Sequence, residues 1–258
     1  MIRRRSRRIA GVGALLLGTY LLALAALFPA SLAWRLAEPR LDLPFALDPG
    51  TLSGRVWSGR AAPVRVNNHE LGAVAWRWQP GALLSGRLGL ALEWRSGTDG
   101  VDGRLRLGRG QAEAVAVRGA VGAGRLQAWL KLPVLLDGRV DLDIARIRWS
   151  ADAGFESAEG ALLWADAAGG LPRAMPLGQY RAGLEAVDGA LGTRIESAPG
   201  SPVEADGAAS WHPAGSYRVD LQLRPGSDAD RNLASALDAI APRQPDGSHR
   251  LLLNAGPD

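Results

Sequence analysis

The sequence contains no cysteine, so neither a disulfide nor a thiolate metal site is available to it. Lysine is almost missing as well: Lys131 stands alone among 30 Lys and Arg residues, a composition bias without functional weight. Histidine occurs three times, at His69, His212 and His249, with no H-x-x-x-H spacing, which removes the simple imidazole metal site and leaves surface histidines as the expectation. Ser58 and Ser201 sit neither in G-x-S-x-G nor after a strand-to-helix elbow, which removes the simplest hydrolase. Asp137, Asp141 and Asp143 lack the spacing of a calcium loop and alternate with Val140 and Leu142, the pattern of a wet strand face. No catalytic residue, cofactor ligand or metal ligand emerges, and a non-catalytic protein is expected.

Hydrophobic residues make up 47% of the 258 positions and charged ones 22%, enough apolar material for a folded body. Gly (33) and Pro (16) together form about a fifth of the chain, which favours many turns over long helices. The pI near 10.2 suggests nucleic acid only until the charges are located. Arg3, Arg4, Arg5, Arg7 and Arg8 outweigh the net charge of +4, so the remainder carries about −1. Its charges are interleaved in sign with no basic stripe, so no nucleic-acid partner is expected.

The arginines precede an apolar run, Ile9 to Ala33, whose sole ionisable group is Tyr20. Twenty helical residues of it span about 30 Å, the thickness of a bilayer core. Ile9, Leu16, Tyr20 and Phe28 mark the expected span, and Trp34 falls where amphipathic rings gather at the lipid surface. The basic flank (residues 1–8) stays cytoplasmic and the rest is exported. Ser31-Leu32-Ala33 also fits a cleaved signal peptide and Ser6-Arg7-Arg8 a twin-arginine export signal, but the run is about twice the usual signal core, which favours a retained anchor over 9–33. Residues 34–50, with Pro39, Pro44 and Pro49, read as an extended linker, and the folded β domain as 51–258.

Within that domain, apolar residues alternate with polar ones. Val74, Trp76 and Trp78 oppose Arg77 and Gln79; Leu88, Leu90, Leu92 and Trp94 oppose Arg87, Glu93 and Arg95. The same alternation recurs in Leu105 and Leu107, in Leu126 and Leu130 against Arg125 and Gln127, and in Val219, Leu221 and Leu223. The phase shifts between Ile144 and Ile147, predicting a bulge near Ala145 and Arg146. Three similar segments, around Gly86, Gly103 and Gly138, each place a glycine before a strand and predict turns of an antiparallel meander, built as a sandwich or an open curved half-barrel. One short amphipathic helix is predicted near the C-terminus: Ser227 or Asp228 caps it, Leu233, Leu237 and Ile240 line one face, and Pro242 ends it.

In GRVWSGRAAPVRV (54–66) the glycines are followed by Ala62-Pro63 and an alternating strand, whereas a phosphate loop leads into a helix. Ser58-Gly59 is therefore read as a turn that lets Trp57 pack on the sheet. Most of the nine tryptophans, including Trp149 and Trp211, fall at apolar strand positions and are expected in the core.

The order of these pieces resembles a known family. LSGRVWSGRA at 52–61, VAWRWQPGALLSGRLGLAL at 74–92 and ALLWADA at 161–167, behind a basic tail and an apolar segment, are similar to type II secretion system protein N, also called general secretion pathway protein N. LGQYRAGLEAVDGALG, DGAASW and RQPDGSHRLLLNAG continue the resemblance towards the C-terminus. Gly54, Trp57, Gly59, Trp76, Trp78 and Trp164 form its signature, and no block of it is an active-site motif. The resemblance implies a bitopic protein of the bacterial inner membrane with a periplasmic β domain, working in the type II secretion machinery beside other platform subunits as a scaffold. Its partners are then membrane lipid and those subunits. A groove of the sheet that binds or transfers lipid acyl chains is the alternative function.

Overall fold

The computed structural model describes residues 16–21, 23–24, 26–40, 46–130, 135–170, 174–226, 235, 237–238 and 241–255. Two compact units divide at Trp78/Gln79.

In the first unit, the described residues up to 26 are helical, and Leu27 turns out of the helix. The apolar run expected to continue to Ala33 is interrupted here. Pro29 disfavours helix at Phe28, Phe28 O accepts the Val56 N–H (3.0 Å), and Pro29 bridges to Arg55. A separate helix α1 (Ala30–Ala37) follows, with Trp34 inside it, and then a 3-10 turn (Glu38–Arg40), so these residues are not the extended linker expected. Residues 9–15, 22 and 25 of the expected span, the Arg3 to Arg8 flank and the linker's 41–45 lie outside the described residues. No described helix is long and apolar enough to cross a membrane.

The sheet of this unit holds β1 (Leu47–Asp48), β2 (Thr51–Arg55), β3 (Ser58–Val66) and β4 (His69–Gln79), the last reaching one residue past the division. Both β1 and β2 pair with β3, and β3 with β4, all antiparallel. Pro63, which has no N–H to give a ladder, sits where the β3–β4 register slips between Ala61 and Val64.

The second unit is a meander of ten antiparallel strands: β5 (Leu88–Ser96), β6 (Asp99–Gly108), β7 (Gln111–Gly122), β8 (Leu135–Ser150), β9 (Gly154–Gly170), β10 (Met175–Val187), β11 (Ala190–Ser197), β12 (Val203–Trp211), β13 (Tyr217–Pro225) and β14 (His249–Ala255). Each pairs with its sequence neighbours among these ten, and among the described strands of this unit β14 pairs with β13 alone, with one isolated bridge from His249 to Arg243, so no described pairing closes the sheet. The predicted bulge is present, a register slip between Ile144 and Arg146 against β9.

Two sequence expectations are corrected. AGRLQAWL is not a strand but helix α2 (Ala123–Leu130). Leu126 and Leu130 fit both a period of two and an i, i+4 step, and the deciding partner is remote: the Asp99 carboxylate accepts the Gly122 N–H (3.1 Å) at the helix start and the Arg125 Nε–H (2.7 Å). Of the three glycines expected in turns, Gly86 alone ends a turn, with φ 67° after the 3-10 segment Pro80–Ser85. Gly103 is within β6, and Gly138 sits at a register slip of β8. Of the C-terminal helix, only Ser235, Leu237 and Asp238 are described, and they are helical; Leu237 is buried on Val203 beside Met175, Leu177 and Leu223. The rest of 227–240 lies outside the described residues.

Candidate functional site

In the first unit, five of the six signature residues meet at one hairpin. The turn is Val56-Trp57, two residues earlier than the Ser58-Gly59 turn read from the sequence, because Arg55 and Ser58 are already paired. Gly54 at φ 84° lets β2 cross Ser58 closely, where a Cβ would lie 2.6 Å from Ser58 O. The Trp76 indole lies flat against Gly59, whose missing Cβ would sit 2.6 Å from Cζ2, and its Nε1–H donates to Val56 O (2.8 Å). Trp57 packs on Trp78 with ring centroids 4.9 Å apart, and the Trp78 backbone N–H donates to Trp57 O (2.7 Å). Two tryptophans of β4 thus clamp the hairpin tip, and the glycines make room for them. Such a clamp is structural and holds no ligand cradle.

In the second unit the sixth signature residue, Trp164, stacks near Tyr180 (5.8 Å), and its Nε1–H donates to Asp137 O (3.0 Å). Both belong to the apolar side of the sheet. One row of register partners crosses all ten strands on that side: Trp94, Val101, Gly119, Leu142, Leu162, Ala182, Ile195, Gly207, Leu221 and Leu251. Every one of them is half-buried and none is fully buried. The adjacent row, on the opposite side, is polar: Arg95, Asp141, Arg181, Glu196, Asp206, Gln222 and Arg250 belong to it. This alternation gives the unit a wet side and an apolar side that the described residues cover only in part, with Leu237 on Val203 and Arg125 over Trp94.

The candidates weighed in the sequence do not assemble. Asp141 pairs with Arg139 (2.8 Å) and Asp143 with Arg118 (3.0 Å), while Asp137 accepts the Gly138 N–H (2.7 Å). Ser201 is buried, accepts the Gln179 N–H (3.2 Å) and donates to Ala198 O (2.8 Å), a structural use of its hydroxyl. His69 and His212 are exposed, but His249 corrects the surface expectation: it is 2% exposed, with Nδ1 3.1 Å from Ala241 O and Nε2 3.6 Å from the Asp238 carboxylate. It lies in β14 facing Leu223, a packing position that an apolar neighbourhood of DGSHRLLLN could have suggested. Among the described residues no group of three His, Cys, Asp or Glu is placed to hold a metal.

Nothing in the linear sequence marks Glu113. Its side chain is 5% exposed in β7, and four arginines converge on it: Arg87 (3.1 Å) and Arg106 (3.4 Å) on Oε2, Arg146 (3.3 Å) and Arg148 (3.4 Å) on Oε1. Burial pushes its carboxyl up, but the hydrogen bonds and charges of Arg148 and Arg106 outweigh that and hold it below the usual carboxylate value. The partners come from β6 and β8 and from just before β5, so the cluster follows from register, which a linear scan cannot see.

Tyr180 titrates the other way. Its hydroxyl lies 2.9 Å from both Leu177 O and Val203 O, and burial pushes it up to about 12 from an ordinary 10. A phenol raised in the folded state contributes stability that is complete below about pH 10 and is lost as pH rises through about 12. Denaturant melts between pH 9 and 12 should therefore show steep alkaline loss for the natural chain. Tyr180→Phe should be less stable by about 1 kcal/mol at neutral pH, with that alkaline slope reduced.

A ten-stranded meander with one half-covered apolar side defines a mainly antiparallel β-sheet protein. The chain belongs to the type II secretion system protein N family: the family model described as "Type II secretion system (T2SS), protein N" matches residues 46–251. It is 25% identical over 236 residues to the type II secretion system protein N of Vibrio cholerae, covering 83% of this chain and 86% of that protein. No solved structure matches. Membership makes the chain a component of the type II secretion system, with other parts of that machinery as partners.

Proposed function

We propose that the chain is a bitopic, non-catalytic assembly subunit of the inner membrane, held by the apolar run that starts at residue 9 and leaves its helix at Leu27, with its N-terminus inside, and that its periplasmic β domain docks other platform subunits by strand addition. The edge of β14 beyond Arg250, which pairs with no strand among the described residues, carries the reading. The Arg250 N–H points away from β13 to Pro242 O (3.3 Å), so the N–H groups of Leu252 and Asn254, two and four residues on, point the same way. Leu252 is 58% exposed and Leu253 47%, one on each side of this edge. An incoming strand finds backbone donors and two apolar side chains there. Membrane anchoring draws support from Leu16, Leu17, Tyr20, Leu21, Leu24 and Leu27, all more than half exposed and suited to lipid. A tethered domain meets neighbours in the same membrane at raised effective concentration, so modest contacts suffice.

The test is a photo-crosslinking residue at Leu252 in intact cells. Trapping of a secretion subunit is the expected result; trapping of lipid alone would refute the docking role. The half-exposed apolar row favours a second reading, in which the sheet binds or transfers acyl chains. Native mass spectrometry of the purified protein decides it, since co-purifying phospholipid is then expected and a lipid-free chain counts against it.

A further inference from the structure

The arginine cluster around Glu113 is unbalanced: four guanidinium groups share one carboxylate, a surplus of three positive charges. Each arginine has several N–H donors, the two carboxylate oxygens are already shared by four of them, and the four side chains remain 32–45% exposed. The Arg148 Nε–H is buried without an acceptor. Nearby on the same side of the sheet, Arg104 and Glu159, the register partners of Val115 and Arg146, cancel each other and leave the surplus standing.

A second feature adjoins it. The 3-10 segment Pro80–Ser85 folds over this side of the sheet at Gly89, where a Cβ would lie 2.8 Å from Ala82 Cβ, and Gly89 is the register partner of Arg106. At its tip Leu84 is 95% exposed and Leu83 53% exposed. Arg87, three residues on, already reaches Glu113. Two protruding leucines beside a cationic cluster match an interface with acyl chains below and phosphates above.

We propose that this corner of the second unit, the Leu83-Leu84 tip with Arg87, Arg106, Arg146 and Arg148, is a contact site for an anionic phospholipid surface. The leucines enter the headgroup boundary, and the arginines hold lipid phosphates through the donors that Glu113 leaves free. The site acts whether or not residues 9–33 span the bilayer. Each basic residue held at an anionic surface strengthens binding about fivefold. The surplus therefore makes the contact depend on lipid charge, which leucines alone would not.

The absence of cysteine makes the test direct. Full-length chain carrying Leu84→Cys, labelled with a polarity-sensitive fluorophore, is reconstituted in vesicles of phosphatidylglycerol with phosphatidylcholine, or of phosphatidylcholine alone. Lipids brominated in the acyl chain serve as quencher. Blue-shifted emission and several-fold stronger quenching are expected in the anionic vesicles, while a label at Leu252→Cys reports water in both. Any membrane anchor is common to both compositions, so the difference reads the tip itself. Salt at about 0.5 M shortens electrostatic reach to about 4 Å and should abolish most of the difference without altering the fold. Arg146→Gln with Arg148→Gln should do the same. A label equally aqueous in both vesicles, or shielded equally in both and insensitive to quencher as in a protein contact, overturns the proposal.

Discussion

Glu113→Ala should destabilise the second unit by about 3–5 kcal/mol, the usual consequence of removing one partner from a buried ion cluster. Four arginines from β6, β8 and the segment before β5 then face each other with no anion between them. Single arginine replacements should cost far less, because each is a third or more exposed and three partners remain. Urea melts of Glu113→Ala against Arg146→Gln provide the comparison, and equal losses would show that the carboxylate does not organise the cluster. The pH dependence has a definite sign. A carboxyl held below its ordinary 4.5 contributes stability that is present above that value and disappears as pH falls below it. The natural chain should accordingly lose stability on acidification through this window, and Glu113→Gln should lose less.

Trp76→Ala should have a comparable effect in the first unit, about 3–5 kcal/mol for deleting a packed indole. It removes the ring that lies on Gly59 and the Nε1–H donor to Val56 O, so the hairpin tip loses its clamp. Trp76→Phe keeps most of the packing and should cost about 1–2 kcal/mol, chiefly through the unpaired carbonyl. Gly59→Ala approaches the same interaction from the other side, since its Cβ would meet Cζ2 at 2.6 Å and displace the ring. Hydrogen exchange of the Val56 and Trp57 amides reads all three. Unchanged protection in Trp76→Ala would rule out the clamp.

Strand alternation was legible because each strand of the meander is amphipathic, and the slip at Ile144 to Arg146 could be placed from phase alone. Local ambiguity explains the errors. Leu126 and Leu130 satisfy two periods, and the choice between them lies with Asp99, which approaches only once β6 and β7 have paired. Gly103 and Gly138 look like turn glycines, yet Gly103 makes room for Val117, whose Cγ2 would be 3.0 Å from an added Cβ, and Gly138 for the Asp166 carbonyl at 2.5 Å. The signature tryptophans and glycines stand out in the sequence, but the mutual contact of Gly54, Trp57, Gly59, Trp76 and Trp78 depends on a hairpin turn two residues from where the glycines suggest it. The Glu113 cluster was invisible because its members span Arg87 to Arg148, and charges interleaved in sequence became concentrated only by register.

Because each strand from β6 to β13 hydrogen-bonds to those before and after it in the chain, the sheet needs no distant segment in order to begin. Each new hairpin can add to the last as the polypeptide emerges, in N-to-C order, and the low contact order of such a route favours rapid acquisition of structure. Among the described residues the outer margin of β14 pairs with no further strand, so a route that lays down one hairpin after another ends on a margin with room for one more.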